Sequence, residues 1–236
     1  PNKLRDAVIK TVDAHPYLKT RIINTDDGKV LQKRCDHAEI EEIEIEEIDS
    51  ISNEEIMERD IKPIPLDNNQ LFRFKIYKTP AETILFVDFH HIITDGVSQG
   101  IFFNDLAKAY NNEEIEAETI NGFEYSLIEE KTSVSEVSEK FFKKQFSQDI
   151  ESTVLTPNMN GNPDIGNIKL VSDQIGSDFV RYFCKDHSIS SNVLFMAATL
   201  LSLNKFTFSD KSLITTIFNG RANSNYSTTQ GMLVKT

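Results

Sequence analysis

Phe89-His90-His91-Ile92-Ile93-Thr94-Asp95-Gly96-Val97-Ser98 joins two segments of different periodicity. Before it, Thr83 to Phe89 is a short apolar run rich in β-branched and aromatic residues, which predicts a strand. After it, Ile101, Phe102, Leu106, Ala109 and Tyr110 share one helical face between Ser98 and Tyr110, with Asn111-Asn112 as the stop. The two histidines therefore sit where a strand hands over to a helix. A histidine is one of the few side chains that takes and returns a proton near neutral pH. An aspartate four residues after His91, with Gly96 permitting the turn, suits a group that shapes a pocket. Residues alternate across a strand, so His90 and His91 are expected to face opposite sides, one reaching the pocket and the other bracing the backbone. An isolated histidine pair would first be read as hydrogen-bonded core residues. The Asp95-Gly96 continuation favours a site.

Working outward, Leu4, Ala7, Val8, Thr11 and Val12 predict an opening helix that ends near His15-Pro16. Tyr17 to Asn24 and Lys29 to Lys33 read as strands around the turn Asp26-Asp27-Gly28. Between Glu39 and Asp49, isoleucines alternate imperfectly with glutamates, as in a half-exposed strand. Ser52 and Glu55 form a capping-box pattern ahead of a short helix that stops before Pro63. Leu71 to Lys78 is expected to pair with Thr83 to Phe89. Further on, Glu136 to Ser147 predicts a helix, Ile168 to Gln174 a strand, Ser177 to Lys185 and Asn192 to Asn204 helices, and Leu213 to Phe218 a strand. Thr156 to Asn167 collects proline, glycine and asparagine and is the best linker, so a subdomain boundary is expected at 157/158.

Composition narrows the classes. With 236 residues and 39% apolar content, the chain can bury a real core. A formal charge of −12 leaves no basic field for a phosphate backbone, so no nucleic-acid partner is expected. No apolar run approaches the roughly 20 residues of a membrane span, and no secretory signal opens the sequence, which points to a cytoplasmic protein. Cys35 and Cys184 are far apart and outside any CxxC pair, so both read as reduced packing residues, with no metal site expected.

The HHxxxDG spacing resembles the signature of the condensation domains of non-ribosomal peptide synthetases and of related acyltransferases with the chloramphenicol-acetyltransferase fold. Ala14-His15-Pro16-Tyr17-Leu18-Lys19-Thr20-Arg21-Ile22 is similar to the family's RHExLRTxF segment. Asn219-Gly220-Arg221 and Gln230 to Thr236 resemble its later GR and VGxFVNT segments, and Asn121 to Ser126 is a weaker echo of another motif. The resemblance implies a two-lobed α/β sandwich, with residues 1–157 as the N-terminal subdomain, lacking its first motif, and 158–236 as the start of the C-terminal one. Measured against the family pattern, roughly half a domain is expected to be absent. The implied reaction is amide formation between an acyl thioester and an aminoacyl amine. Both substrates would hang on phosphopantetheine arms of carrier proteins, with an adenylation domain in the same polypeptide and no directly bound cofactor. His91 carries over as the catalytic histidine, acting as base or as orienter of the amine, with His90 in support and Gly96 in the turn. Asp95 is expected to accept a structural ion pair from the upstream segment, where Lys19 or Arg21 would stand in for the family's arginines. Lys235 replaces the family's asparagine.

Other readings share parts of this pattern. Gly96-Val97-Ser98-Gln99-Gly100 matches the GxSxG elbow of serine hydrolases, for which His187, with Asp186 beside it, would have to supply the base. The structural alternative for Ser98 is an N-cap of the following helix. A stand-alone acyltransferase, or a non-catalytic docking module, would share the same motif. Epimerisation domains commonly carry tryptophan where this chain has Gln99, and heterocyclisation domains replace the histidines by aspartates.

Overall fold

The computed structural model describes residues 1–132, 135–146, 153, 172–221 and 223–235. It divides into two compact units: residues 1–133 with 217–236, and residues 134–216. The segment from 217 thus packs with the N-terminal part of the chain. The boundary expected at 157/158 lies outside the described residues.

In the first unit, helix α1 (Asn2–Ala14) leads into a 3-10 turn over Pro16–Lys19. A hairpin follows, β1 (Arg21–Asn24) against β2 (Val30–Lys33), turning at Gly28 with φ +80°. The main sheet has the order β3-β4-β5: β3 (Glu44–Glu47) runs parallel to β4 (Phe72–Lys78), and β4 antiparallel to β5 (Thr83–Phe89). Helix α2 (Asn53–Asp60) begins with the expected capping box, Ser52 Oγ accepting from Glu55 N and Glu55 Oε2 from Ser52 N. Helices α3 (Gly96–Tyr110) and α4 (Gly122–Lys131) complete the unit.

Period-two alternation sorts the sheet into two faces. Phe72, Phe74 and Ile76 of β4, with Leu85, Val87 and Phe89 of β5, turn toward α1 and α3 and meet Ala7, Val8, Val12, Phe102, Leu106 and Ala109. Tyr77, Phe86 and Ile84 turn to the other face, against Ile56 of α2. Three rings fix the end of β5 that matters here: Phe89 lies 5.7 Å from Phe74 and 5.1 Å from Phe102 by centroid, each contact edge-on, with Phe74 and Phe102 stacked at 5.8 Å. Such contacts add specific geometry to the apolar burial. They clamp the residue immediately before the histidines to both the sheet and the following helix.

The second unit contains α5 (Glu136–Gln145), α6 (Ser177–Asp186) and α7 (Ser191–Thr207). The strand expected at Leu213 to Phe218 is not formed among the described residues; only Phe218 makes a ladder pair, with Lys235. A strand needs a neighbouring strand for its N–H and C=O groups; among the described residues 211–217 pair with no strand, and the Leu213 N–H donates instead to Thr153 Oγ1 at 2.8 Å. Most of the strand expected at Ile168 to Gln174 lies outside the described residues. Tyr17 to Lys19 also departs from the expected strand, because Pro16 supplies the fixed φ that starts a turn. Among the described residues no helix is long and apolar enough to cross a membrane, and both cysteines are free.

Candidate active site

β5 ends at Phe89, so His90 and His91 lie beyond the strand rather than on it. His90 is extended (φ −66°, ψ 127°), its N–H donates to Leu71 O at 2.8 Å, and its Nδ1 accepts the Ile92 N–H at 3.1 Å. Its ring is therefore committed to capping a short 3-10 turn over His91–Ile93. Ile93 and Thr94 are buried beneath that turn. His91 is exposed and makes no hydrogen bond to another described residue. The His90 ring caps the turn while His91 is exposed with no hydrogen bond to another described residue; a turn beyond the strand, not the alternation expected along it, separates the two.

Asp95 is the N-cap of α3, with Oδ1 accepting Ser98 N at 2.8 Å. Its other oxygen, Oδ2, takes Arg221 Nη1 at 2.9 Å and Leu233 N at 3.0 Å, and the residue is fully buried. Neither Lys19 nor Arg21 supplies the cation expected there. The Pro16–Lys19 turn carries Lys19 to Asp13 (2.7 Å) and Asp36 O (3.0 Å), and Arg21 donates to Asn68 O at 3.3 Å. The partner is Arg221, 126 residues on. Its planar fork suits this place, because Nη2 reaches Ser98 Oγ at 2.8 Å and Thr229 O at 3.1 Å while Nη1 holds the carboxylate.

Ser98 is equally committed. Its hydroxyl donates to Gly231 O at 2.7 Å and accepts from Gly231 N at 3.0 Å and from Arg221. It is fully buried, so it is neither an exposed nucleophile nor the helix N-cap, a role that belongs to Asp95. Gly96, expected to permit the turn, is the first residue of α3 with no positive φ, and a Cβ there would meet nothing within 4 Å. Gly220 is where a glycine is needed: φ is +70°, and an added Cβ would overlap the carbonyl of Leu233.

These bonds clasp Arg221, Gly231 and Leu233 against Asp95 and Ser98 at the start of α3. Burial pushes the Asp95 carboxyl up, but Arg221 and the N–H groups of Ser98 and Leu233 outweigh it, so its pKa lies below the ordinary 3.8. A folded pKa below the unfolded one contributes stability that is whole above the unfolded value and lost as pH falls through the folded value. The first unit should therefore weaken as pH drops below about 4. Asp95→Asn should remove part of that dependence, as read from denaturant midpoints between pH 5 and pH 2.

The clasp was only half visible in the sequence. The Asn219-Gly220-Arg221 segment was noticed, but nothing local joins it to Asp95.

A family model described as a condensation domain matches residues 1–236. Surfactin synthase subunit 1 of Bacillus subtilis (strain 168) is 28% identical over 242 residues, covering 99% of this chain and 7% of that protein. Bacitracin synthase 2 of Bacillus licheniformis is 28% identical over 244 residues, covering 100% of this chain and 9% of the other. The chain thus spans less than a tenth of the length of these curated relatives. Among solved structures, the first condensation domain of the CDA synthetase superposes with a TM-score of 0.72 at 17% identity, covering 99% of this chain and 60% of that one. That likeness shows the fold, the chloramphenicol-acetyltransferase-like α/β architecture. With the family match extending from the first residue to the last over a histidine-bearing turn built in this way, the chain belongs to the condensation-domain family.

Proposed function

We propose that the chain forms amide bonds. The amine of an aminoacyl group on one carrier protein attacks the acyl or peptidyl thioester on another. A C–N bond forms, the C–S bond breaks, and the carrier thiol leaves with a proton. An α-ammonium has a pKa of about 8 and is mostly protonated at neutral pH, so the attacking amine needs a partner that accepts or orients its proton. His91 fills that role, as base or as hydrogen-bonding orienter. The single observation that carries this reading is the contrast at the site: His90, Asp95 and Ser98 are all consumed by structural bonds, while His91 is exposed and makes no hydrogen bond to another described residue. On this reading the partners are carrier domains for donor and acceptor, each bearing its substrate on phosphopantetheine, with an adenylation domain in the same polypeptide and a cytoplasmic setting; the family match supports it.

The test is to supply an acyl thioester on one carrier and an aminoacyl thioester on another, and to identify products by mass spectrometry. The amide is expected. An ester formed only with an alcohol acceptor would mean a stand-alone acyltransferase, free acid a hydrolase, and no product a docking module.

Gly96 provides a second check. With open space at its Cβ, Gly96→Ala should leave the melting temperature within about 2 °C of the parent. If this bare, exposed backbone beside His91 admits a tethered substrate, the same variant should lose at least about tenfold in amide formation, chiefly in KM. Unchanged kinetics would remove Gly96 from the site.

A further inference from the structure

His15 closes α1 and is 1% exposed, yet neither ring nitrogen faces a neutral group. Nδ1 lies 2.9 Å from Glu118 Oε1 and Nε2 3.1 Å from Asp105 Oδ2. Each ring nitrogen is thus spent on an acidic side chain from another part of the chain. Asp105 is held in turn by Lys108 at 2.9 Å, one turn along α3. Glu118 does something else. Its Oε1 also accepts the N–H of Gln230 at 2.7 Å, and Gln230 is fully buried. On either side of Gln230, Thr229 Oγ1 donates to Ile120 O at 2.6 Å and Gly231 bonds Ser98. Leu233, two residues further, bonds Asp95.

Hydrogen bonds therefore lead from His15 at the end of α1 through Glu118 to Gln230, whose neighbours Gly231 and Leu233 bond Ser98 and Asp95 at the start of α3. We infer that His15 and Glu118 are positioning residues, which set the seating of residues 229–233 against Ser98 and Asp95. Stability alone is a poor account of Glu118. Its Oε2 and both amide atoms of Gln230 are buried without partners among the described residues, and burying unpaired polar atoms costs stability that an apolar contact would not. The carboxylate earns its place by directing two donors, the His15 ring and the Gln230 N–H. The kinetic side of this inference rests on the proposed amide formation, whereas the structural side does not.

Hydrogen exchange of single amides in the whole chain, with kinetics beside it, tests both. In Glu118→Ala, exchange at Gly231 and Leu233 should quicken about tenfold or more, the effect of losing a charge-assisted hydrogen bond, while β4 and β5 stay protected. The kcat for amide formation should fall about tenfold with KM for both carriers nearly unchanged. Glu118→Gln keeps an acceptor for Gln230 and should recover most of both, a rescue that a simple loss of folding would not show. The inference is overturned if Gly231 and Leu233 exchange as in the parent, or if exchange rises evenly over the whole unit. It is equally overturned if Glu118→Gln behaves like Glu118→Ala. A parent chain that makes no amide would defeat the proposed function and leave the exchange result standing.

Discussion

Arg221→Ala is expected to destabilise the first unit by about 3–5 kcal/mol, because it strands the buried Asp95 carboxylate without its cation. The guanidinium is 3% exposed and Asp95 fully buried, so water cannot replace the lost charge without opening the clasp. Ser98 Oγ and Thr229 O lose a donor in the same step. For a protein of this size the loss corresponds to a fall in melting temperature of roughly 10 °C. Arg221→Lys should lose about half as much, since an ammonium can meet Asp95 but cannot span Asp95, Ser98 and Thr229 together. Thermal denaturation of the three proteins at one pH is the check. Equal stability of parent and Arg221→Ala would mean that the clasp contributes nothing.

The second large effect is expected at Gly220, through the backbone. Gly220→Ala should cost at least about 2 kcal/mol from two additive causes. An L-residue at φ +70° forfeits about 1–2 kcal/mol. The new methyl group would also overlap the Leu233 carbonyl oxygen and lie 2.8 Å from its carbon, both rigid backbone atoms that no rotamer change can move aside. Relief requires the 219–221 turn to separate from Leu233, which pulls Arg221 off Asp95. Gly220→Ala and Arg221→Ala should therefore be strongly non-additive, since each undoes the same clasp. A double-mutant cycle by chemical denaturation measures this, and full additivity would show that the two residues act independently.

Local physics explains what could be read from the sequence. Ser52 with Glu55 announced α2, and the apolar run from Thr83 to Phe89 gave β5 its observed limits, because capping and alternation are written in neighbouring residues. The same capping signature, Asn121 with Glu124, heads α4, a helix the sequence expectations lack. Tyr17 looked like strand, but its ring is buried edge-on against Phe123 at 4.9 Å, a tertiary contact that outweighs local preference. At the site, alternation does not describe the two histidines, because β5 ends at Phe89 and a 3-10 turn sets both rings. The cation for Asp95 was not legible either, because Lys19, Arg21 and Arg221 all offer positive charge and only the fold decides which reaches a buried carboxylate.

The proposed function rests on one exposed imidazole, that of His91. The most direct measurement is the single-turnover rate of amide formation from preformed carrier-bound donor and acceptor, comparing the parent with His91→Ala at a temperature where both are fully folded. A ring with no hydrogen bond to another described residue can be removed at little structural cost, so the melting temperatures should agree within about 2 °C. The rate should fall by about 10² to 10⁴. Equal single-turnover rates for two equally folded proteins would contradict the assignment of His91 to the chemistry.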